Sequence, residues 1–222
     1  MPFAKMPLTK NANRIFATVF LVTGLTVQVV AYLWMPDTPL SLVSGMLGIC
    51  SVVLCSVGNI FTFLFGFAQI ITYTYICYLN HLYGNIGINA FYFLSQIYGI
   101  YLWRKRGAGM TEAVETRHLK RSVWMLLIGG IAMVSLATGY ILDTYTDDPQ
   151  PYLDAFTTVP AIAAQVLLVM AYSEQWILWF LIDIVYVVLW AQAGNGCMLM
   201  QYIFWCINCV YGWISWTRQR EA

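Results

Sequence analysis

Apolar residues run along this chain in blocks too long for a soluble core, separated by short clusters of turn-forming and charged residues. A helix crossing the hydrocarbon core needs about 20 residues, within a range of roughly 17–25. Eight stretches meet that length or nearly do: 15–34, 40–57, 59–79, 86–103, 122–142, 155–172, 175–192 and 198–216. Between them stand MPDTP at 35–39, Gly58-Asn59, NHLYGN at 80–85 and AQAGNG at 191–196. A closed β-barrel, the other structure able to span a bilayer, needs short alternating strands, so the pattern predicts helices. The first run follows Lys5, Lys10 and Arg14, as in a signal peptide. It exceeds the roughly 7–15 apolar residues of a signal core, and no small-residue cleavage site follows it. It reads as a retained helix.

Composition agrees: 60% of the 222 residues are hydrophobic and 9% are charged, against about 25% charged in soluble domains. Charge then orients the spans, because Lys and Arg collect on the cytoplasmic side of short loops. With the amino terminus inside, eight crossings put residues 104–121 and the carboxyl tail inside as well. All 11 basic residues then fall on one side: Lys5, Lys10, Arg14, Arg104, Lys105, Arg106, Arg117, Lys120, Arg121, Arg218 and Arg220. The outer loops carry Asp37, Asp143, Asp147, Asp148 and Asp154. Removing any one span would scatter the basic clusters over both sides. The net charge of +1 and the absence of a basic patch beyond the membrane flanks give no sign of nucleic-acid binding.

The chain also matches itself without gaps at one constant offset, which lays Gln96 over Cys209. QIYGIYLWRKR at 96–106 then lies over CVYGWISWTRQ at 209–219, sharing Y-G-x-x-x-W. The same offset pairs Ile49 with Ile162, Val53 with Val166, Phe67 with Phe180, Tyr73 with Tyr186, and Phe91 with Phe204. The expected unit is a three-helix bundle, spans 2–4 and again 6–8. Span 5 supplies the crossing that makes the copies parallel. The organisation expected is an all-α polytopic protein of eight transmembrane helices arranged 1+3+1+3. Residues 1–39 form an amino-terminal tail and extra helix, and 40–103 a first bundle. Residues 104–153 form a basic loop, linker helix and acidic outer loop, and 154–222 a second bundle and tail. Parallel repeats of this kind occur in transporters such as the SWEETs, with substrate held at the repeat interface. Duplication serving only to build a stable bundle is the plainer alternative.

Ionisable groups at membrane depth are costly and call for a reason. Asp183 lies mid-span on a stripe with Trp176, Trp179, Tyr186 and Trp190, spaced 3, 4, 3, 4 along one helix face. Aromatic rings around one carboxylate suit a flat cationic ligand, each ring contributing roughly 0.5–2 kcal/mol through cation–π attraction. Equally, Trp176 and Trp190 could form interfacial belts, and Asp183 could be hydrogen-bonded between helices or protonated. Asn89, Tyr92 and Gln96 share a face of span 4, Gln201 and Asn208 a face of span 8, and Gln69 pairs with Tyr73 in span 3. These are candidate substrate contacts. Interhelical glue, worth about 0.6 kcal/mol per bond, is the plainer role for them.

Enzymatic motifs are absent. His81 and His118 fall in loops on opposite sides of the membrane, and no H-E-x-x-H or P-loop occurs. The six cysteines (Cys50, Cys55, Cys77, Cys197, Cys206, Cys209) lie in or beside apolar runs, where thiols pack as small hydrophobes. Cys206 and Cys209 form a lone C-x-x-C with no second pair, so neither a metal site nor another cofactor is expected.

Four segments carry a family resemblance: SGMLGICSVVLCSVGNIFTFLFG (44–66), NAFYFLSQIYGIYLW (89–103), DAFTTVPAIAAQVLLVMAYSEQWILW (154–179) and NCVYGWISW (208–216). Through these the chain resembles the bacterial nicotinamide riboside transporters of the Pnu vitamin-transporter family over about residues 40–219. The resemblance implies a full-length SWEET-like core, an inner-membrane location and one central site for nicotinamide riboside, a cationic pyridinium on an uncharged ribose. It further implies facilitated diffusion, with a cytoplasmic riboside kinase trapping the substrate. Thiamine or riboflavin carriage on the same scaffold is the first alternative, and a membrane sensor the second. A homo-oligomer is compatible with the arrangement.

Overall fold

The computed structural model describes residues 10–34, 38–79, 83–109, 112–147, 149–192 and 196–219. Among them lie eight helices: α1 (Lys10–Trp34), α2 (Pro39–Ser56), α3 (Phe61–Leu79), α4 (Tyr83–Lys105), α5 (Arg121–Tyr145), α6 (Pro151–Val169), α7 (Gln175–Gln192) and α8 (Gly196–Gln219). Five of them, α1, α2, α5, α6 and α7, are long and apolar enough by length and composition to cross a membrane. His81, Asp37, Asp148, Lys5 and Arg220 lie outside the described residues.

Local chemistry sets several ends. Pro39 opens α2 just after Thr38, whose hydroxyl accepts from the Ser41 amide at 3.2 Å; proline at the first helical position loses no bond the helix would have made. Pro151 opens α6 likewise. The apolar run expected to 172 stops as helix at Val169, because Ala171 has φ +59. A left-handed residue cannot continue a right-handed helix. Gly58, between α2 and α3, has φ +71, and the repeat offset carries it onto Ala171.

The two turns match bond for bond. Gly58 donates to the Cys55 carbonyl and Ala171 to the Leu168 carbonyl, both at 2.9 Å. Asn59 donates to Leu54 at 2.9 Å and Tyr172 to Leu167 at 2.8 Å. Helices α2, α3 and α4 pack in sequence, as do α6, α7 and α8; α2 meets α8 and α4 meets α6 across the centre. Helix α1 packs on both α2 and α8, whereas α5 packs on α6.

Contacts across the centre come in reciprocal pairs at the same offset. The Trp103 indole N–H donates to the Leu168 carbonyl at 3.1 Å, and that of Trp216 to the Cys55 carbonyl at 3.0 Å. Deeper in, Gln165 Nε2 donates to Ser95 Oγ at 2.7 Å, and Asn208 Nδ2 to the Val52 carbonyl at 3.3 Å. Within each half an aromatic ring lies against a glycine, Phe63 on Gly99 and Trp176 on Gly212, where a Cβ would collide with the ring. Phe63, Trp103, Trp176 and Trp216 then form a buried cluster at the basic end of the bundle. Trp103 meets Trp216 at 5.7 Å, and Trp176 meets Trp216 edge-on at 5.6 Å.

The basic stretch after α4, read from sequence as a cytoplasmic basic loop, is partly internal. Val114 donates its amide to the Gly58 carbonyl at 3.0 Å and Arg117 to the Ala171 carbonyl at 2.8 Å. Arg117 in turn accepts from Ser173, and Thr116 Oγ1 donates to the Trp216 carbonyl at 2.8 Å. Glu174 accepts from the Leu119 amide at 3.0 Å and meets His118 Nδ1 at 3.2 Å. This strap joins both turns and the end of α8, so Val114 and Thr116 are buried. Burial first, and then the neighbouring Arg117, hold Arg106 below the ordinary guanidinium range.

Candidate substrate-binding site

The α7 stripe turns toward α8. Trp176 and Asp183 are 3% and 4% exposed, which excludes Trp176 from an interfacial belt and assigns it to the basic-end cluster. Further along α7, Asp183 Oδ2 accepts a weak bond from the Cys209 thiol at 3.5 Å. Tyr186 stacks on Tyr202 with ring centres 4.8 Å apart and planes 24° apart, and Tyr202 meets Trp205 edge-on at 5.0 Å. Tyr92 of α4 stands within electrostatic reach of Tyr186, and Tyr73 of α3 and Asp183 within reach of Tyr202. Asp183 and the phenols of Tyr92, Tyr186 and Tyr202 therefore lie together between the halves, with Tyr73, 39% exposed, at the edge.

Other expected residues flank this cluster. Gln96 lays its amide over Gly66, and Gln69 lies against Gly48 on α2. Trp179 is half-buried and bridges two apolar clusters. Gln201 is half-buried one residue from Tyr202. Asn89 is 5% exposed and Asn208 fully buried. Neither Gln69 nor Gln201 is drawn into the phenol cluster by a direct contact among the described residues.

Buried polar atoms without partners occur here, at Asn89 Nδ2, Asn208 Oδ1 and the Trp205 indole nitrogen, and also at the basic end, at Ser173 Oγ, Glu174 Oε2, Gln175 Oε1 and the Trp176 indole nitrogen. Some 90% or more of buried polar groups in proteins are bonded, so a run of open donors and acceptors marks where water or a polar ligand would bond. No Lys or Arg is buried among the described residues, where the buried acids are Asp183 and Glu174. No group of three potential metal ligands occurs among them either.

Sequence reasoning missed Tyr202, Gln175 and Cys209 as parts of this region. Tyr202 stands in the second copy where Asn89 stands in the first, so the repeat offset would have found it. Gln175, fully buried at the start of α7, contacts Cys55 Sγ through Nε2 at 3.8 Å; as the first residue of an expected span it carried no face signal.

A family model described as Nicotinamide mononucleotide transporter matches residues 38–218, from just before α2 to the end of α8. The chain belongs to this family. Among its relatives is a nicotinamide riboside transporter PnuC of Neisseria mucosa, 33% identical, with 91% of this chain and 81% of the relative covered. A nicotinamide riboside transporter PnuC of Haemophilus influenzae is 31% identical, covering 91% and 90%. A crystal structure of the vitamin B3 transporter PnuC superposes with a TM-score of 0.77 at 33% identity, covering 93% of each chain. Membership in the transporter family makes this chain a multi-pass membrane transporter and not an enzyme.

Proposed function

We propose that this transporter carries nicotinamide riboside by facilitated diffusion across a bacterial inner membrane, with both termini and the strap in the cytoplasm. The observation that carries the reading is the convergence of Tyr73, Tyr92, Asp183, Tyr186 and Tyr202 beside unpartnered buried amides, midway between the halves. A pyridinium ring is flat and positive; stacked phenols favour it through cation–π attraction, and Asp183 answers its charge. Asn89, Asn208, Gln96 and Trp179 stand where ribose hydroxyls and a carboxamide can exchange bonds with amides and rings. Gln69, Gln201 and Trp176 serve as flanking contacts.

Charge separates riboside from mononucleotide. A phosphate would need buried cations, and burying an unpaired charge costs several kcal/mol. No Lys or Arg is buried among the described residues, which supports the uncharged ribose. Alternating access then follows from two parallel three-helix bundles, α2–α4 and α6–α8, rocking about the reciprocal contacts. The basic end is closed by the tryptophan cluster and the strap. A cytoplasmic kinase that phosphorylates the riboside would prevent its return, since the product cannot re-enter this site.

Calorimetry with the purified chain tests the reading. Nicotinamide riboside is expected to bind and its mononucleotide to give no heat. Binding of the mononucleotide with equal affinity would sink the substrate assignment. Equal binding of thiamine or riboflavin would move the chain to another vitamin on the same fold. Uptake into liposomes without an imposed ion gradient tests facilitated diffusion.

A further inference from the structure

The two halves differ at the flank of each central contact. On one side α1 fills the furrow between α2 and α8. Phe16 stacks on Tyr211 and Phe20 on Phe204, the latter at 4.2 Å, leaving Phe204 7% exposed. The furrow between α4 and α6 carries Phe91 and Tyr98, the counterparts of Phe204 and Tyr211 under the repeat offset. No helix fills it among the described residues, because α5 packs on α6 without reaching α4.

What remains is a hollow of about 290 Å³ lined by Leu94, Tyr98, Val166 and Met170 among others, with Leu94 65% and Tyr98 54% exposed. A second hollow of about 580 Å³, lined by α4 alone, lies on the neighbouring face at Arg104 and Lys105, and Lys105, two turns beyond Tyr98, stands at the end of the furrow's own line. One leaflet of the hydrocarbon core is about 15 Å thick, or about ten helical residues at 1.5 Å each. An acyl chain whose phosphate sits at Lys105 therefore ends level with Leu94 and Ser95.

We propose that the α4/α6 furrow holds one anionic phospholipid, its acyl chain along Leu94 and Tyr98 and its phosphate at Arg104 and Lys105. The lipid takes the place that α1 takes in the other half. Charge favours it over a second copy of the chain. Copies in a membrane are oriented alike, so a neighbour's basic end, such as Lys120 and Arg121, would face Arg104 and Lys105 with like charge. An anionic headgroup meets the same pair with opposite charge.

Native mass spectrometry of the full chain from mixed micelles of phosphatidylglycerol and phosphatidylcholine tests this. One phosphatidylglycerol per chain should be retained and phosphatidylcholine lost. The double variant Arg104→Gln, Lys105→Gln should retain about tenfold less, whereas Lys120→Gln, Arg121→Gln should match the parent. Equal retention of both lipids, or undiminished retention by the first variant, overturns the proposal. Leu94→Trp, which fills the furrow, should expel the lipid and leave the assembly mass unchanged. Should it instead dissociate an oligomer, the furrow is an interface between copies and the lipid assignment falls.

Discussion

The basic end of the bundle and its mid-membrane interior are built from the same residue types, yet they join the two halves differently. At the basic end, the indoles of Trp103 and Trp216 each find a carbonyl of the other half, and the strap engages the carbonyls of Gly58 and Ala171. Midway through, Asn208 uses its amide nitrogen on Val52 and leaves Oδ1 open. Asn89 Nδ2 and the Trp205 indole nitrogen are also open. The basic end also keeps open atoms, at Gln175 Oε1 and the Trp176 indole nitrogen, so what distinguishes it is the strap that ties both turns together.

Trp216→Ala should break the comparison most severely. It removes a fully buried ring and frees the Cys55 carbonyl, an expected loss of about 3–5 kcal/mol read as a fall in melting temperature in detergent. Substrate affinity in the fraction that stays folded should change far less. Asn208→Ala should do the reverse. Riboside affinity should drop by about 1–3 kcal/mol, or roughly 5- to 150-fold, with a smaller change in melting temperature. A melting loss as large as that of Trp216→Ala would reassign Asn208 to the scaffold.

Smaller effects test the paired turns. Gly58→Ala forces a Cβ into the left-handed region and to 3.3 Å from the Ala113 Cβ, and should cost about 1–2 kcal/mol. Ala171→Gly should relieve strain of that kind in the other copy, offset in part by the greater freedom of glycine in the unfolded chain. Opposite signs in the two melts are the expected outcome. Smallest of all, a double-mutant cycle on Gln165 and Ser95 should give a coupling of about 0.6 kcal/mol. A cycle showing no coupling would make the 2.7 Å contact incidental.

The helices were legible because membrane-spanning runs are long, so the expected spans 40–57 and 175–192 fall almost on α2 and α7. Where the reading slipped, the cause was conformational: Tyr172 belonged to the apolar run, but the turn at Ala171 had already ended α6. In the site, the α7 stripe was legible because aromatics at helical spacing declare a face. Tyr202 was missed, since it is the repeat offset, which lays it over Asn89, that points to it. The strap was hidden for a different reason. Its work is done by main-chain amides, and the charges of Arg106 and Arg117 suggested solvent.

That last point bears on how the protein tolerates change. The side chain of Arg117 is exposed and lies over Tyr172 at 5.9 Å, a surface contact of small worth. Its backbone both donates to Ala171 and accepts from Ser173. Position 117 is therefore free to drift chemically while remaining fixed geometrically. A saturation library there should accept polar, acidic and apolar residues alike and reject proline, the one residue that lacks the N–H. A position so permissive would look unimportant in any comparison of sequences, although one of the bonds tying the strap to the second bundle passes through it.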